Sequence, residues 1–229
     1  MFHYWDWDGA ETSFRRVIEL DPNYGPAYQW YATLLMIRGR PEEAVGMLNK
    51  ALETDPASHN YITDRGQAHF YLRNYKAAEA DYLIALEMMP DFGVAQIGLS
   101  HLYVVTGEYE KAIRLDVFGS VNQFLSHLHE PGVIRQLEEE LEDRLKTLRE
   151  QGPQAEFGNV LSRVSTTSEG DVGRSRMLIL TGQHEEALAY VERAVDNKAF
   201  MAPFMNPDPI YDPIRNHPRF KAAMAKMKL

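Results

Sequence analysis

RGRPEEAVGMLNKALETDP, Arg38 to Pro56, holds the pattern that decides the architecture of this chain. A period of 34 residues later, LRNYKAAEADYLIALEMMP (Leu72 to Pro90) repeats its layout. Each stretch has a polar turn, a helical run with a small residue in its first turns, a second alanine further on, and a closing proline. Ala44 aligns with Ala78, Ala51 with Ala85, and Pro56 with Pro90. One period earlier, VIELDP closes at Pro22, and one period later VTGEYEKA (Val105 to Ala112) brings the turn and Ala112 back. Self-similarity at such a period marks a supersecondary unit that is stacked many times over.

Packing explains why these residue types recur. Two antiparallel helices approach closely only where side chains are small, which is the place of Ala32, Gly66 and Ser100 in the first helix of each unit and of Ala44, Ala78 and Ala112 in the second. Large residues such as Leu35, Leu48, Tyr82 and Tyr103 fill the space around that contact. Proline stops the second helix and turns the chain into the next unit. On these residues the chain resembles the tetratricopeptide repeat family. The resemblance implies an all-α fold: a right-handed superhelical solenoid of antiparallel helix hairpins.

Counting back one period from Ala44 and Leu48 gives Ala10 and Phe14. Residues 1–24 therefore read as a half repeat, a second helix without its first, and Trp7 takes the place held later by Tyr75 and Tyr109. That helix is expected to show an uncovered apolar side, as in a piece of a longer protein. Regular repeats span 25–118. Residues 119–173 depart from the register, with Gly119 where alanine is due, and read as an irregular helical insert. Within it, Ile134, Leu137, Leu141, Leu145 and Leu148 form an amphipathic stripe over 134–150. Such a stripe packs on the stack, pairs two chains, or fills the concave groove. VSTTSEGD (Val164 to Asp171) is expected to be a loop or a weakened stretch. Repeat character returns over 174–229 with Gly182, Ala187 and Ala194, and four prolines (Pro207, Pro209, Pro213, Pro218) lead into a last helix that caps the stack.

Both ends resemble a narrower group, the C-terminal tetratricopeptide regions of bacterial signalling and regulatory proteins of nucleotide cyclase, kinase or winged-helix type. The residues concerned are WDWDGAE (Trp5 to Glu11) and DPIYDPIRNHPRF, in which Asp208, Pro209, Tyr211, Asp212, Pro213, Ile214, Arg215, Pro218, Arg219 and Phe220 match. The resemblance implies a regulatory module attached to another domain.

Composition narrows the function classes. A net charge of −9 disfavours nucleic acid and anionic membrane as partners. No apolar run is long enough to span a bilayer. The absence of cysteine removes disulfides, thiol catalysis and cysteine-bound zinc, and suits a cytoplasmic location. His127 and His129, with Glu130, are the one conceivable metal set, and a metal-dependent hydrolase is a remote alternative; on a helix i and i+2 point apart. Acidic pairs such as Glu42/Glu43 and Glu185/Glu186 sit in helix first turns, where carboxylates favour the dipole. No nucleotide or nucleophile motif is present, so neither an enzyme nor a cofactor is expected.

What remains is the concave groove, lined in this architecture by the first helix of each unit. Its expected partner-facing residues are Gln29, Thr33 and Met36, with Ile37; then Thr63, Gln67, Phe70 and Tyr71; then Ile97, His101 and Val104, with Val105. The Lys, Arg and Asn residues by which carboxylate-clamp tetratricopeptide domains hold acidic tails are missing. A mixed polar and apolar groove suits a partner peptide or helix. Homodimerisation without a peptide ligand is the alternative.

Overall fold

The computed structural model describes residues 5–125, 131–162 and 168–229. Among them there are twelve α-helices and no strand. In the repeat region α1 (Trp7–Leu20), α2 (Gly25–Ile37), α3 (Pro41–Thr54), α4 (His59–Tyr71), α5 (Tyr75–Met88), α6 (Gly93–Thr106) and α7 (Tyr109–Leu125) follow one another. The starts of α1, α3, α5 and α7 are 34 residues apart, and so are those of α2, α4 and α6. The period is thus a structural one.

Local chemistry fixes these boundaries. Asp21, Asp55 and Met89 each precede a proline, which denies them the helical region. Their backbones are extended, with φ of −141°, −146° and −142°, and there α1, α3 and α5 stop. Within each hairpin the turn needs a residue in the left-handed region. Gly39 (φ 71°), Gly107 (φ 80°) and Gly182 (φ 78°) supply it freely, whereas the second hairpin uses Arg73 (φ 59°). Where helices cross, Ala32, Ala44, Ala78, Ala51 and Ala85 are fully buried, and the Tyr82 ring fills the gap between α4 and α6.

Three more helices complete the wall: α8 (Pro131–Gln151), α9 (Pro153–Leu161) and α10 (Ser168–Leu180). The leucine stripe of α8 lies on α7, where Leu141 and Leu145 are buried with Ile113 and Val117. Among its described side chains Leu137 and Leu148 join that cluster half-buried, and none lines the groove. Arg144 fastens this layer, reaching Asp116 and Glu156 at 2.6 Å each. Of the stretch expected as a loop, Val164 to Thr167 lie outside the described residues, and Ser168 to Asp171 form the first turn of α10, where buried Asp171 pairs with Arg193 of α11 (His184–Asp196). After α11, two 3-10 turns (Ala202–Met205 and Pro209–Tyr211) and α12 (Pro218–Lys226) form the cap.

This cap returns to the start of the chain. The Trp7 indole donates to the Met227 carbonyl at 2.6 Å, and Asn206 Nδ2 donates to the Ile37 carbonyl at 2.9 Å. Arg73 reaches Asp212 at 2.6 Å and the Pro207 carbonyl at 3.1 Å. Trp5, Val105 and Leu229 bridge the repeat core and the cap core. The expected uncovered side of α1 is therefore covered where it carries Trp7, which is 3% exposed; apolar exposure on α1 persists at Val17 and Leu20. Glu11 secures the same helix. Burial pushes its carboxyl upward, but hydrogen bonds from Arg15, Tyr31 and Arg40 bring it down to about 2.

Candidate functional site

Because the end of the chain meets its beginning, the concave side becomes a cavity of about 560 Å³. A helix presents residues spaced by three and four on one face. That spacing places Gln29, Thr33 and Met36 of α2, Thr63, Gln67 and Phe70 of α4, and Ile97 and His101 of α6 along its wall, joined by Tyr71. Gln29, Thr63 and Ile97 are equivalent positions one period apart, as are Thr33, Gln67 and His101.

Three groove expectations fall elsewhere. Ile37 is fully buried behind the wall, one helical step past Met36. Val104 and Val105 pack into the repeat core, and Val105 also meets the cap. Met36, Phe70 and Tyr71 are deep wall residues, at most 6% exposed.

The opposite wall was not legible in the repeat. Arg176 comes from α10, and Phe200, Met201, Phe204 and Asp208 come from the cap. No period links the cap residues to the groove, so only the chain's closure brings them there. Trp30, Asp64, Val94 and Gly98 also line the cavity. Trp30, Asp64 and Gly98 are equivalent positions one period apart, each next to an expected residue, and that register is the signal in the sequence that pointed to them. At the mouth Trp30, Val94, Ile97 and Phe200 are all more than half exposed, an apolar rim around a partly polar interior.

Inside, the charges are unevenly matched. Arg176 and Asp208 form a buried ion pair at 2.8 Å, and the other Asp208 oxygen accepts from the Ile210 amide at 3.0 Å. His101 is kept neutral: burial, with the Arg176 guanidinium adding to it, pushes its pKa down to about 4. Burial holds the Tyr71 phenol well above its ordinary value. Asp64 accepts one hydrogen bond, from Gln29 Nε2 at 2.7 Å, and burial pushes its carboxyl up to about 6. Beside it Thr63 is 2% exposed, and its hydroxyl has no hydrogen-bond partner among the described residues. Among the described residues no three His, Asp or Glu side chains gather as a metal site, and His127, His129 and Glu130 lie outside those residues. No helix among them is long and apolar enough to cross a membrane.

Two family models, each described as tetratricopeptide repeat, match residues 6–63 and 63–116. The hairpins over 6–116 are therefore tetratricopeptide repeats, and the fold is an all-α solenoid built on them. Among curated proteins the chain is similar to RNA polymerase II-associated protein 3 of Xenopus tropicalis, 29% identical over 86 residues, covering 34% of this chain and 13% of the relative. It is also similar to tetratricopeptide repeat protein 13 of Homo sapiens, 30% identical over 98 residues, covering 43% of this chain and 11% of the relative. The similarity thus spans only a small part of either relative. Among solved structures, MamA is 19% identical with a TM-score of 0.44, covering 86% of this chain and 91% of MamA. A tetratricopeptide repeat protein from Parabacteroides merdae is 17% identical with a TM-score of 0.49, covering 97% and 86%.

Proposed function

We propose that this chain is a protein-interaction module that receives an apolar segment of a partner protein in its concave cavity, without catalysis. The observation that carries this is the rim: Trp30, Val94, Ile97 and Phe200 leave apolar surface in water around a concave opening, and such a patch marks an interaction site. The deeper Gln29, Thr33, Thr63, Gln67 and His101 would give the seated segment its polar contacts. Met36, Phe70 and Tyr71 shape the wall and anchor less than the rim does, since little of them is exposed. On the resemblance of its two ends, we place the module in a bacterial regulatory protein of the cytoplasm.

Affinity capture from lysate with wild type and with Ile97→Glu and Phe200→Glu tests this. Both sites are exposed, so the variants are expected to keep the wild-type helical content and melting temperature. A partner captured by wild type and lost from both folded variants is the expected result. A partner list unchanged by either substitution would remove the cavity from the function.

A further inference from the structure

Resting on that reading, we infer that the cavity selects a partner segment with one basic side chain, lysine or arginine, set among apolar residues. Among the described residues, every charged or titratable group lining the interior is accounted for except one. Arg176 from α10 and Asp208 from the cap neutralise each other, and Asp208 spends its second oxygen on the Ile210 amide. His101 from α6 is neutral, and so is the Tyr71 phenol from α4. Asp64 has the Gln29 amide but no cation among the described residues.

A carboxylate in an apolar surround has capacity for further donors and costs free energy while it lacks a counter-charge. The neighbouring Thr63 hydroxyl, almost wholly buried and without a partner among the described residues, is a second polar group in the same wall. An ammonium or guanidinium group would satisfy both. Its methylene stem would lie along the Trp30 and Ile97 rim, as long basic side chains cover apolar surface. The rim extends around the opening from α2, α6 and the cap, so apolar residues flanking the basic one would cover it. A free amine would leave it wet. The charge preference is opposite to that of a clamp for acidic tails.

The test uses the full chain and synthetic apolar peptides that differ only at a central residue: lysine, arginine, norleucine, glutamine or glutamate. Wild type is expected to bind the lysine or arginine peptides about tenfold more tightly than the norleucine or glutamine ones, and the glutamate peptide most weakly. Asp64→Asn, which keeps the acceptor for Gln29, should erase that preference while still binding apolar peptides. Thr63→Val should reduce it in part. Equal binding of all peptides by wild type, lost in Ile97→Glu, would overturn the basic anchor and leave the interaction module standing. A lysine preference that survives Asp64→Asn would overturn the assignment to Asp64. Binding of no peptide at all would overturn both readings. Saturation by pentylamine as tight as by the lysine peptide would replace the protein segment with a small amine.

Discussion

Asp64 is costly to the fold for the reason that makes it useful to a guest. Its carboxyl is ordinarily half-protonated near 3.8, and in the folded chain burial pushes it up to about 6. The folded state therefore holds the proton more tightly than the unfolded state. The cost of the charged form is fully present above pH 6 and absent below 3.8. Asp64→Asn removes the charge and keeps an acceptor for Gln29, so it should stabilise the chain by about 1–3 kcal/mol at pH 7.5. That gain should shrink toward zero as the pH is lowered to about 4. Urea unfolding of both proteins at the two pH values checks it. A destabilised variant, or a gain independent of pH, would mean that Asp64 is compensated by groups other than Gln29. The expected combination of a more stable chain with a weaker grip on a basic peptide separates a site from a structural residue.

At the scale of the elements, stacking is set by how closely α4, α5 and α6 approach, and Tyr82 is the gauge. A methyl group added at Gly98 would stand 2.6 Å from the Tyr82 ring, and one at Gly66 3.0 Å. Gly46, inside α3, has nothing within 4 Å. Gly98→Ala should therefore destabilise by about 1–3 kcal/mol through overpacking. Gly46→Ala should stabilise by up to about 1 kcal/mol through helix propensity alone. Thermal melts of the two single variants decide between these opposite signs, and equal signs would refute the packing account. Gly66 was legible as a small position because the period places it between Ala32 and Ser100. Gly98 was not, because its equivalents Asp64 and Trp30 are large. The same contrast runs through the site. Positions repeated at 29, 63 and 97 or at 33, 67 and 101 could be read from periodicity, which reports the faces of helices that stack in register. Val104 obeyed the period, at the place of Met36 and Phe70, yet packs against the repeat core and does not line the cavity. The stripe of α8 was legible as a buried face, but its partner, Ile113 and Val117 on α7, was not. An amphipathic pattern states that a face must be covered and leaves open what covers it.

The whole molecule departs from a simple linear array, in which each repeat touches only its neighbours. Here the cap reaches α1, α2 and the turn after α4, so closure joins segments about as far apart in sequence as Trp7 and Met227. Arg73 shows that this contact has a cost elsewhere. It occupies a left-handed position, φ 59°, where the neighbouring hairpins place Gly39 and Gly107. A side chain there costs about 1 kcal/mol relative to glycine. What arginine adds is reach, to Asp212 and to the Pro207 carbonyl. Arg73→Gly separates the two effects, because it relaxes the turn and deletes the latch. Hydrogen exchange should slow or stay unchanged in the α4–α5 turn itself. It should quicken severalfold in the cap, from Asn206 to α12, more than a hundred residues away along the chain. The cavity would lose the firm placement of Phe200, Phe204 and Asp208, so apolar peptides should bind more weakly although no residue in the wall has changed. Faster exchange confined to α4 and α5, with the cap unaffected, would show that Trp7, Asn206 and the packing of Trp5, Val105 and Leu229 hold the ends without Arg73. A cap that loosens together with a weakened peptide would show that closure builds the second wall of the site, which makes the geometry of the cavity a property of the ring and not of any one repeat.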